Sequence, residues 1–413
     1  MVLLPSRTKR TKSGPPGGKP RKERGSVGAG RARSAEKARE AARAKKIEAA
    51  APAPAATSTK PAARPDPRKR EVKKLPPPPP VKAPKAKKVA LEPSGLSRSG
   101  TVALIGRPNV GKSTLLNAAL GASLAIVSRT AQTTRNTLLG VIHRVLETGD
   151  AAEILLLDTP GLHEGKTALN RRMNGAAQAA ASNAEVVVFI CDVPPKPKGE
   201  LRPHRHDIEL LKAVGERSKI ILVVNKIDTL RDKASMLGLI EKLSHVRPFD
   251  AIVPVSALRN DGIDVVLEEA GKLLPEGPHG YAEDDMTDRP MRFFAAEYVR
   301  EQVLERAREE VPHATAVSID VFEERNNRTN ISATVHVERA GQKKILIGEG
   351  GSMLRAIGEN ARKRISELLG MPVHLELFVR ETPSWRDNPG LLGELGYEDA
   401  KAEQSFKEKR PRA

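Results

Sequence analysis

The sequence predicts a doubly wound α/β sheet followed by a smaller α+β domain, with a long basic segment in front of both. Two hydropathy patterns in the sequence support this prediction. Between residues 98 and 274, continuous apolar runs alternate with helix-like stretches, which is typical of parallel strands that are buried on both faces. From residue 291 onward, apolar and polar residues alternate in the strand-like segments, which indicates strands with one buried face.

These changes in hydropathy pattern and in composition divide the chain into five segments. We expect a disordered extension rich in Pro, Ala and Lys, an α/β domain, a linker containing Gly, Pro and acidic residues, an α+β domain and a C-terminal tail. The predicted bounds of these segments, in order, are 1–97, 98–274, 275–290, 291–381 and 382–413.

The excess positive charge lies entirely in the extension. The formal net charge is +19, and residues 1–97 contain 26 Lys and Arg against 7 Asp and Glu. The rest of the chain is neutral overall, so nucleic-acid binding there requires a local patch. The extension has too little apolar surface to build a core. Three interpretations of the extension remain open. It is a basic arm that binds RNA without sequence specificity, or a solvated tail without a specific role. Because it is Arg-rich and poor in acids, the third is an organelle transit peptide.

Cysteine content and hydropathy bear on the compartment. The single cysteine, Cys191, lies in an apolar run, so no disulfide can form within the chain, and a reducing cytoplasm is expected. No apolar stretch approaches the ~18 residues that a membrane-spanning helix requires. The apolar start, Met1–Pro5, is too short for a secretory signal.

The first functional motif is Gly106-Arg-Pro-Asn-Val-Gly111-Lys112-Ser113, which matches the phosphate-binding loop G-x-x-x-x-G-K-S/T. A strand-like run precedes it and a helix-like stretch follows it, as this loop requires. Its glycines let backbone N–H groups turn towards a phosphate, and the helix N-terminus adds partial positive charge. We expect Lys112 to reach the β- and γ-phosphates and Ser113 to hold Mg²⁺.

Two further motifs predict the rest of the metal and γ-phosphate site. Asp158-Thr-Pro-Gly161 ends an apolar run, so Asp158 can hold a Mg²⁺-bound water and the Gly161 N–H can meet the γ-phosphate. Gln132-Thr-Thr-Arg135 lies in a polar stretch between the two motifs. A threonine there can close on Mg²⁺ and the γ-phosphate; we favour Thr134, with Thr133 as the alternative.

The base is predicted to be guanine. In Asn225-Lys-Ile-Asp228, the Asp228 carboxylate can accept both N–H groups of the guanine N1/N2 edge, a pattern that adenine lacks. Asn225 would tie this loop to the phosphate loop, the Lys226 stem would cover the ring, and backbone N–H groups at Ser256-Ala257 would meet guanine O6. Four of these five motifs, all but Gln132–Arg135, end or adjoin apparent strands, where open α/β sheets bind ligands.

The predicted residue sets are as follows. Those for the nucleotide are Asn109, Gly111, Lys112, Ser113, Thr114, Asp158, Gly161, Asn225, Lys226, Asp228, Ser256 and Ala257. Those for Mg²⁺ are Ser113, Thr134 and Asp158, and those for catalysis are Lys112, Thr134 and Gly161.

Hydrolysis is expected to be slow. Many guanine-nucleotide switches have Gln after Asp-x-x-Gly to orient the attacking water. Here that position is Leu162, which cannot hydrogen-bond water, and His163 beside it is an alternative. We expect multiple-turnover hydrolysis below ~10 s⁻¹ without RNA or a partner.

The second domain indicates RNA binding. Its predicted order is a helix over 291–310, a hairpin, a short element, a Gly-rich loop, a helix and a last strand. The loop Gly348-Glu-Gly-Gly351 is a G-x-x-G sequence, which lets a single-stranded RNA backbone approach closely. The predicted RNA-binding residues are Lys343, Lys344, Gly348, Gly351 and Arg355. Further cations nearby in sequence are Arg362, Lys363 and Arg364. Candidates for base stacking are Phe378, Trp385 and Tyr397, but for Phe378 we favour core packing.

On these residues the chain resembles the Era family of ribosome-assembly GTPases over about residues 98–400. The matching stretches are Gly106–Asn117, Ala131–Arg135, Asp158–His163, Pro275–Pro278, Thr287–Pro290, Gln342–Lys344, Ile347-Gly348, Ile357-Gly358 and Pro372–Leu377. The extension, 194–198 and Glu349-Gly350 depart from the family pattern.

The resemblance implies a C-terminal type II KH domain that grips the 3′ end of small-subunit ribosomal RNA during maturation of the small ribosomal subunit. It implies GTP/GDP and Mg²⁺ as ligands and a hydrophobic residue in place of the catalytic Gln. Related switches with the equivalent of Asn109 can also use K⁺. We expect a cytoplasmic monomer. Peripheral contact with the inner face of the cell membrane and targeting to an organelle remain open.

Two other functions remain as alternatives. One is a tRNA-modifying type of GTPase, which would need a C-terminal cysteine and a cofactor domain. The other is an RNA-binding module whose nucleotide domain does not act as a switch.

Overall fold

The structure is a computed structural model that describes residues 95–130, 132–162, 167–193, 201–215 and 218–397. Nearly all of the predicted extension 1–97 lies outside these described residues. The same holds for His163, for 194–198 and for the end of the predicted tail.

Six strands form the first sheet, in the order β2-β3-β1-β4-β5-β6. They are β1 Ser97–Ile105, β2 Leu138–Val145, β3 Ala151–Asp158, β4 Val186–Asp192, β5 Lys219–Asn225 and β6 Ala251–Pro254. Neighbouring strands run parallel except for β2, which is antiparallel to β3. Only residues 146–150 connect β2 to β3, too few for the crossover that a parallel pair requires.

Helices cover both faces of this sheet, which confirms the doubly wound prediction. They are α1 Lys112–Leu120, α2 Ala168–Asn183, α3 Arg205–Ala213, α4 Leu237–Ser244 and α5 Ile263–Leu273. On β1, Val102 and Leu104 belong to one core cluster and Ala103 and Ile105 to the other. Residues that alternate along one strand are thus buried on opposite faces, which is why the strand sequences read as continuous apolar runs.

The predicted linker 275–290 forms no helix or strand, yet it is bound to the sheet. The Val141 N–H of β2 donates to Met286 O at 2.9 Å. The buried Glu153 carboxylate accepts from the N–H groups of Gly280 and Tyr281 at 2.8–3.0 Å. The linker therefore covers the outer edge of β2, where backbone groups would otherwise lack partners.

The second domain has the predicted element order. It comprises α6 Met291–Arg306, β7 Ala316–Arg325, β8 Arg328–Val337, α7 Ala340–Ile347, α8 Ser352–Leu369 and β9 Val373–Glu381. In its sheet, β7 is antiparallel to β8 and β8 is parallel to β9. Helix α6 ends before residue 310 because Ala307 is extended and Glu309 has a positive φ of 56°, which an α-helix cannot continue through.

The predicted tail begins with an ordered segment that packs on both domains. Trp385, helix α9 (Pro389–Glu394) and Tyr397 follow β9. Trp385, Leu392 and Tyr397 share a buried cluster with residues of α2 and with Ala316 of β7. Among the described helices, none has the length and apolar character to cross a bilayer.

Candidate nucleotide site and nucleic-acid interface

The predicted nucleotide motifs meet at the carboxyl edge of the first sheet, around a cavity of about 550 Å³. The predicted residues that line it are Asn109, Gly111, Lys112, Ser113, Thr114, Thr133, Thr134, Gly161, Asn225, Lys226, Asp228 and Ala257. Asp158 lies beneath this lining, fully buried, and its carboxylate hydrogen-bonds to Ser113 and Thr134.

The phosphate-binding loop connects β1 to α1 and depends on Gly111. This residue has φ 104°, and a Cβ placed on it would lie 2.2 Å from Asn225 Nδ2, so a larger residue fits neither the backbone nor the space. Helix α1 begins at Lys112, directly after it. The helix N-terminus and its N–H groups therefore face the cavity, as a phosphate site requires.

Lys112 is buried in this loop. Its Nζ donates to Gly106 O at 3.1 Å and to Arg107 O at 3.0 Å. Burial lowers the pKa of Lys112 to about 8, and the nearby Asp158 carboxylate opposes this shift. A bound phosphate would favour the charged amine for the same reason that Asp158 does.

Ser113, Thr134 and Asp158, the three predicted metal ligands, come together. The Ser113 hydroxyl donates to Asp158 Oδ2 at 2.5 Å, and Thr134 Oγ1 lies 2.8 Å from Ser113 Oγ and 3.2 Å from Asp158 Oδ2. Burial raises the pKa of Asp158, opposed first by Lys112. The buried Asp158 Oδ1 has no hydrogen-bond partner among the described residues.

This oxygen set fits Mg²⁺, a hard cation that takes oxygen ligands and keeps several waters. Two hydroxyls and one carboxylate supply oxygen atoms, and the unpartnered Asp158 Oδ1 could accept from a metal-bound water. When bound, Mg²⁺ would neutralise charge on the β- and γ-phosphates. The chain's own part is to hold these oxygens close together beside Lys112.

The loop after β5 is hydrogen-bonded to the phosphate-binding loop. Asn225 Nδ2 donates to Val110 O at 2.8 Å, and its Oδ1 accepts from the Lys226 N–H at 2.7 Å. Lys226 Nζ donates to Asn109 O at 2.7 Å and to Asp192 Oδ2 at 2.6 Å. Both residues connect the two loops, and the Asn225–Val110 hydrogen bond is the predicted link between Asn225 and the phosphate-binding loop.

The segment after β6 differs from the sequence prediction. Ser256 N–H donates to Asp261 O at 3.0 Å, and Ala257 N–H donates to Asn225 Oδ1 at 3.0 Å. The two N–H groups expected to meet guanine O6 are therefore engaged within the protein, because Asn225 and the turn at Asp261 use them. Ser256 acts instead through its hydroxyl, which donates to Asp228 Oδ1 at 2.7 Å and holds that carboxylate at the cavity.

Several residues at this site were missed by the motif analysis. Val127, Ser128, Thr229 and Leu258 also line the cavity, and Leu258 is 81% exposed. The available signal was position: Leu258 directly follows Ser256-Ala257, and Thr229 directly follows Asn225–Asp228. Val127 and Ser128 lie in a loop without a recognisable motif.

A charged network lies beneath the phosphate loop. Arg107 Nε donates to Asp207 at 2.7 Å, and its NH2 group donates to Asp192 at 2.7 Å. Burial lowers the pKa of Arg107, but its ion pairs with the two acids outweigh this and leave it raised. Because Asp192 also binds Lys226, the network connects the phosphate-binding loop to the Asn225–Asp228 loop.

The Gly-rich loop of the second domain lies between α7 and α8, as predicted. Gly348, Gly350 and Gly351 all have positive φ values, of 73°, 57° and 77°. A groove of about 460 Å³ starts at Gly351 and runs between α8 and β9. Its lining residues are Gly351, Leu354, Arg355, Gly358, Glu359, Arg362, His374, Leu375 and Leu377.

The predicted cations divide between different surfaces. Arg355 and Arg362 line the groove. Lys344 is exposed on α7, whereas Lys343 lines a separate depression with Phe378 and Arg380. Arg364 does not belong to this surface: it pairs with Glu301 and stacks 4.2 Å from the Tyr298 ring.

The aromatic predictions need correction. Trp385 is fully buried, and Tyr397 is 6% exposed and stacks on it at 5.7 Å between ring centroids. Neither ring is available to RNA bases, because both pack against α2. Phe378 is 54% exposed, so the core packing that we favoured for it is wrong. It lies on the outer face of β9, where the alternation of the strand places it.

Cys191 is buried in β4, and burial raises the pKa of its thiol. It offers neither the thiolate nor the access that a catalytic cysteine requires. This observation weighs against the tRNA-modifying alternative.

Comparison with known proteins agrees with both halves of this description. A family model described as "50S ribosome-binding GTPase" matches residues 101–226, and one described as "KH domain" matches residues 310–386. The chain is 44% identical over 302 residues to GTPase Era of Geobacter metallireducens, covering 98% of that protein and 73% of this chain. It is 40% identical over 306 residues to GTPase Era of Ruminiclostridium cellulolyticum, covering 99% of that protein and 74% of this chain.

Two solved structures are similar to it. One is Aquifex aeolicus Era Y63A bound to GDP·AlF4⁻, with 37% identity and a TM-score of 0.68. The other is Era in complex with MgGDPNP and nucleotides 1506–1542 of 16S ribosomal RNA, also with 37% identity, and with a TM-score of 0.67. Each alignment covers 73% of this chain and 99% of the solved chain. These matches confirm the resemblance and the predicted fold class, and the chain belongs to the Era family of GTPases.

Proposed function

We propose that this GTPase uses its nucleotide state to control the binding of its KH domain to small-subunit ribosomal RNA near the 3′ end, and so assists maturation of that subunit. The observation that carries the proposal is the presence of both sites in one chain. It has a guanine-nucleotide cavity and a Gly-rich RNA groove, and a similar solved Era structure contains MgGDPNP together with 16S RNA nucleotides.

The groove has the features that single-stranded RNA requires. The positive-φ glycines lack side chains that would keep a sugar–phosphate backbone away, and Arg355 and Arg362 supply charge for phosphates. Leu354, Leu375 and Leu377 offer an apolar floor for bases. Among the residues that line the groove, His374 carries the one aromatic ring. We therefore expect recognition to rest mainly on close backbone approach and base-edge contacts, with stacking limited to His374.

Hydrolysis is proposed to be slow without a partner. Leu162 follows Gly161 at the cavity and has no polar group to orient water. Lys112, Thr134 and the Gly161 N–H remain the groups that we expect to stabilise the transferring phosphoryl group. This leaves room for RNA or another partner to complete the site.

A potassium ion is proposed as a second cation. Asn109 lines the cavity in a strained backbone conformation with φ 62°, and its Nδ2 donates to Arg129 O at 3.1 Å. Its side-chain oxygen is therefore oriented by a neighbouring loop, and a monovalent cation beside the phosphates could bind to it.

We further propose that the protein is a monomer in the cytoplasm, with peripheral membrane contact as the secondary proposal.

The decisive experiment is crosslinking in cells with the full chain, followed by sequencing of the attached RNA. We expect reads to concentrate near the 3′ end of small-subunit ribosomal RNA. A majority of transfer RNA would favour the tRNA-modifying alternative, and a majority of large-subunit RNA would favour the function named in the family description.

A binding assay with a matched control tests the groove and the switch. Arg355→Gln should weaken binding of a 3′-end RNA oligonucleotide at least several-fold. Arg325→Gln, an exposed arginine near the β7–β8 turn, should not. Equal RNA affinity with GDP and with a GTP analogue would contradict the switch, because a ligand shifts states only by differential binding.

A further inference from the structure

The second domain holds the chain on both sides of Thr134. On one side, the Arg300 guanidinium of α6 donates to the carbonyl of Thr133. On the other side, Arg135 extends into the second domain and donates to Thr315 O at 2.6 Å and to Tyr397 Oη at 2.9 Å. The residue between these two contacts is the one whose hydroxyl reaches Ser113 and Asp158.

Both arginines are buried, at 1% exposure for Arg300 and 3% for Arg135. A buried guanidinium is costly unless its N–H groups have partners. Arg300 pairs with Glu297 within its own helix and still directs one donor across to Thr133. Arg135 donates to the Tyr397 hydroxyl and to the carbonyls of Thr315, Pro312 and His313. It is therefore held by hydrogen bonds to neutral groups rather than by an ion pair.

The packing around Arg135 depends on the segment after β9. The guanidinium lies 5.7 Å from the Trp385 ring centroid and 5.9 Å from that of Tyr397. Trp385 Nε1 donates to Ala314 O at 3.0 Å, next to the Thr315 carbonyl that Arg135 uses. The C-terminal segment thus forms one wall of the pocket that receives this arginine.

We propose that Arg300 and Arg135 are positioning residues through which the second domain keeps Thr134 in its metal-binding place. The inference rests on the proposed function and deepens it. Thr134 is expected to contact Mg²⁺ and the γ-phosphate, whereas GDP lacks that phosphate. The two arginines therefore set the preference for triphosphate over diphosphate, and any change in the second domain that releases them lowers this preference.

The same helix also connects this arrangement to the RNA groove. Glu301, next to Arg300, accepts from Arg364 of α8 and from the Val127 N–H at 3.3 Å. Arg364 lies two residues after Arg362, which lines the groove, and Val127 lines the nucleotide cavity. RNA that shifts α8 therefore has a short physical connection to the segment that carries Thr134.

Equilibrium binding of a non-hydrolysable GTP analogue and of GDP, in the full chain with Mg²⁺, tests this without turnover. For Arg300→Met we expect the ratio of analogue to GDP affinity to fall about tenfold, since a hydrogen bond to a charged group is lost, while GDP affinity stays within twofold. Arg300→Lys should restore part of the ratio, because an ammonium can still donate to the Thr133 carbonyl.

Two further variants complete the test. Arg292→Met, on the same helix but bonded to Ile319 O, should leave the ratio unchanged. Tyr397→Phe removes one partner of Arg135 at little cost in volume and should lower the ratio about threefold; it serves if Arg300→Met does not fold.

An unchanged ratio in Arg300→Met, or in Tyr397→Phe where that variant replaces it, with normal GDP binding would overturn the inference. Failure of the unmodified chain to bind guanine nucleotides would instead overturn the proposed function.

Discussion

Replacing Asp228 by Asn tests the nucleotide site most directly. Asp228 lines the cavity, and the Ser256 hydroxyl holds its Oδ1 at 2.7 Å. In the proposed complex its carboxylate accepts two N–H groups of guanine. An Asn amide keeps one acceptor oxygen but turns an N–H donor towards the other guanine N–H. One hydrogen bond to a charged group is lost, at about 1.5–3 kcal/mol, and a guanine N–H is left unpaired, at a further cost of about 1–3 kcal/mol. We therefore expect GDP affinity to fall by about 10²–10⁴.

The base analogue provides the specificity control. Xanthine carries a carbonyl where guanine carries its 2-amino group, and an Asn amide can donate to that carbonyl. Asp228→Asn should therefore bind xanthosine diphosphate more tightly than GDP, as measured by calorimetry.

Asp264→Asn, at a carboxylate 97% exposed at the start of α5, should bind GDP normally. The reasoning is refuted if Asp228→Asn keeps GDP affinity within threefold, or if it loses GDP without gaining the xanthine nucleotide.

Three further results are expected. Trp385→Ala should lower the free energy of unfolding by about 3–5 kcal/mol in urea titrations, because it empties a fully buried site and removes the bond to Ala314; a loss below about 1 kcal/mol would contradict the packing described. Burial, with Arg380 nearby, lowers the pKa of His336, so the unfolded chain binds a proton at this residue more readily than the folded chain does. The free energy of unfolding should therefore fall as the pH drops below about 6.5. His336→Gln should flatten this pH dependence, and the control His374→Gln, at an exposed residue, should not. GTP turnover should stay below ~10 s⁻¹ and be faster in KCl than in NaCl, and equal rates in the two salts would remove the case for K⁺ at Asn109.

The motifs could be predicted from the sequence because each requires a local pattern. Gly111-Lys112-Ser113 is recognisable since a positive-φ glycine, a phosphate-binding amine and a metal-binding hydroxyl must be adjacent in the chain. The apolar runs likewise predict the strands, because burial on both faces leaves no polar alternation. The antiparallel direction of β2 was not predicted, because the short connection at 146–150 is informative only once the strand ends are known.

The errors concern residues whose role depends on distant partners. Arg364 reads as one more cation near the Gly-rich loop, but its helix position points it towards Glu301 and Tyr298. Trp385 and Tyr397 read as exposed rings in a tail, but they are buried against α2. Spacing within the chain carries no information about a neighbour that lies far away in sequence.

The sequence by itself predicted the two domains, the ligand class and most of the residues that come together around the cavity, because these depend on local backbone conformation and on side-chain chemistry. Only the tertiary structure showed that Thr134 is held from both sides by the second domain. Arg300 and Arg135 make contacts across 167 and 180 residues of chain, and folding brings those groups together through burial rather than through any local pattern.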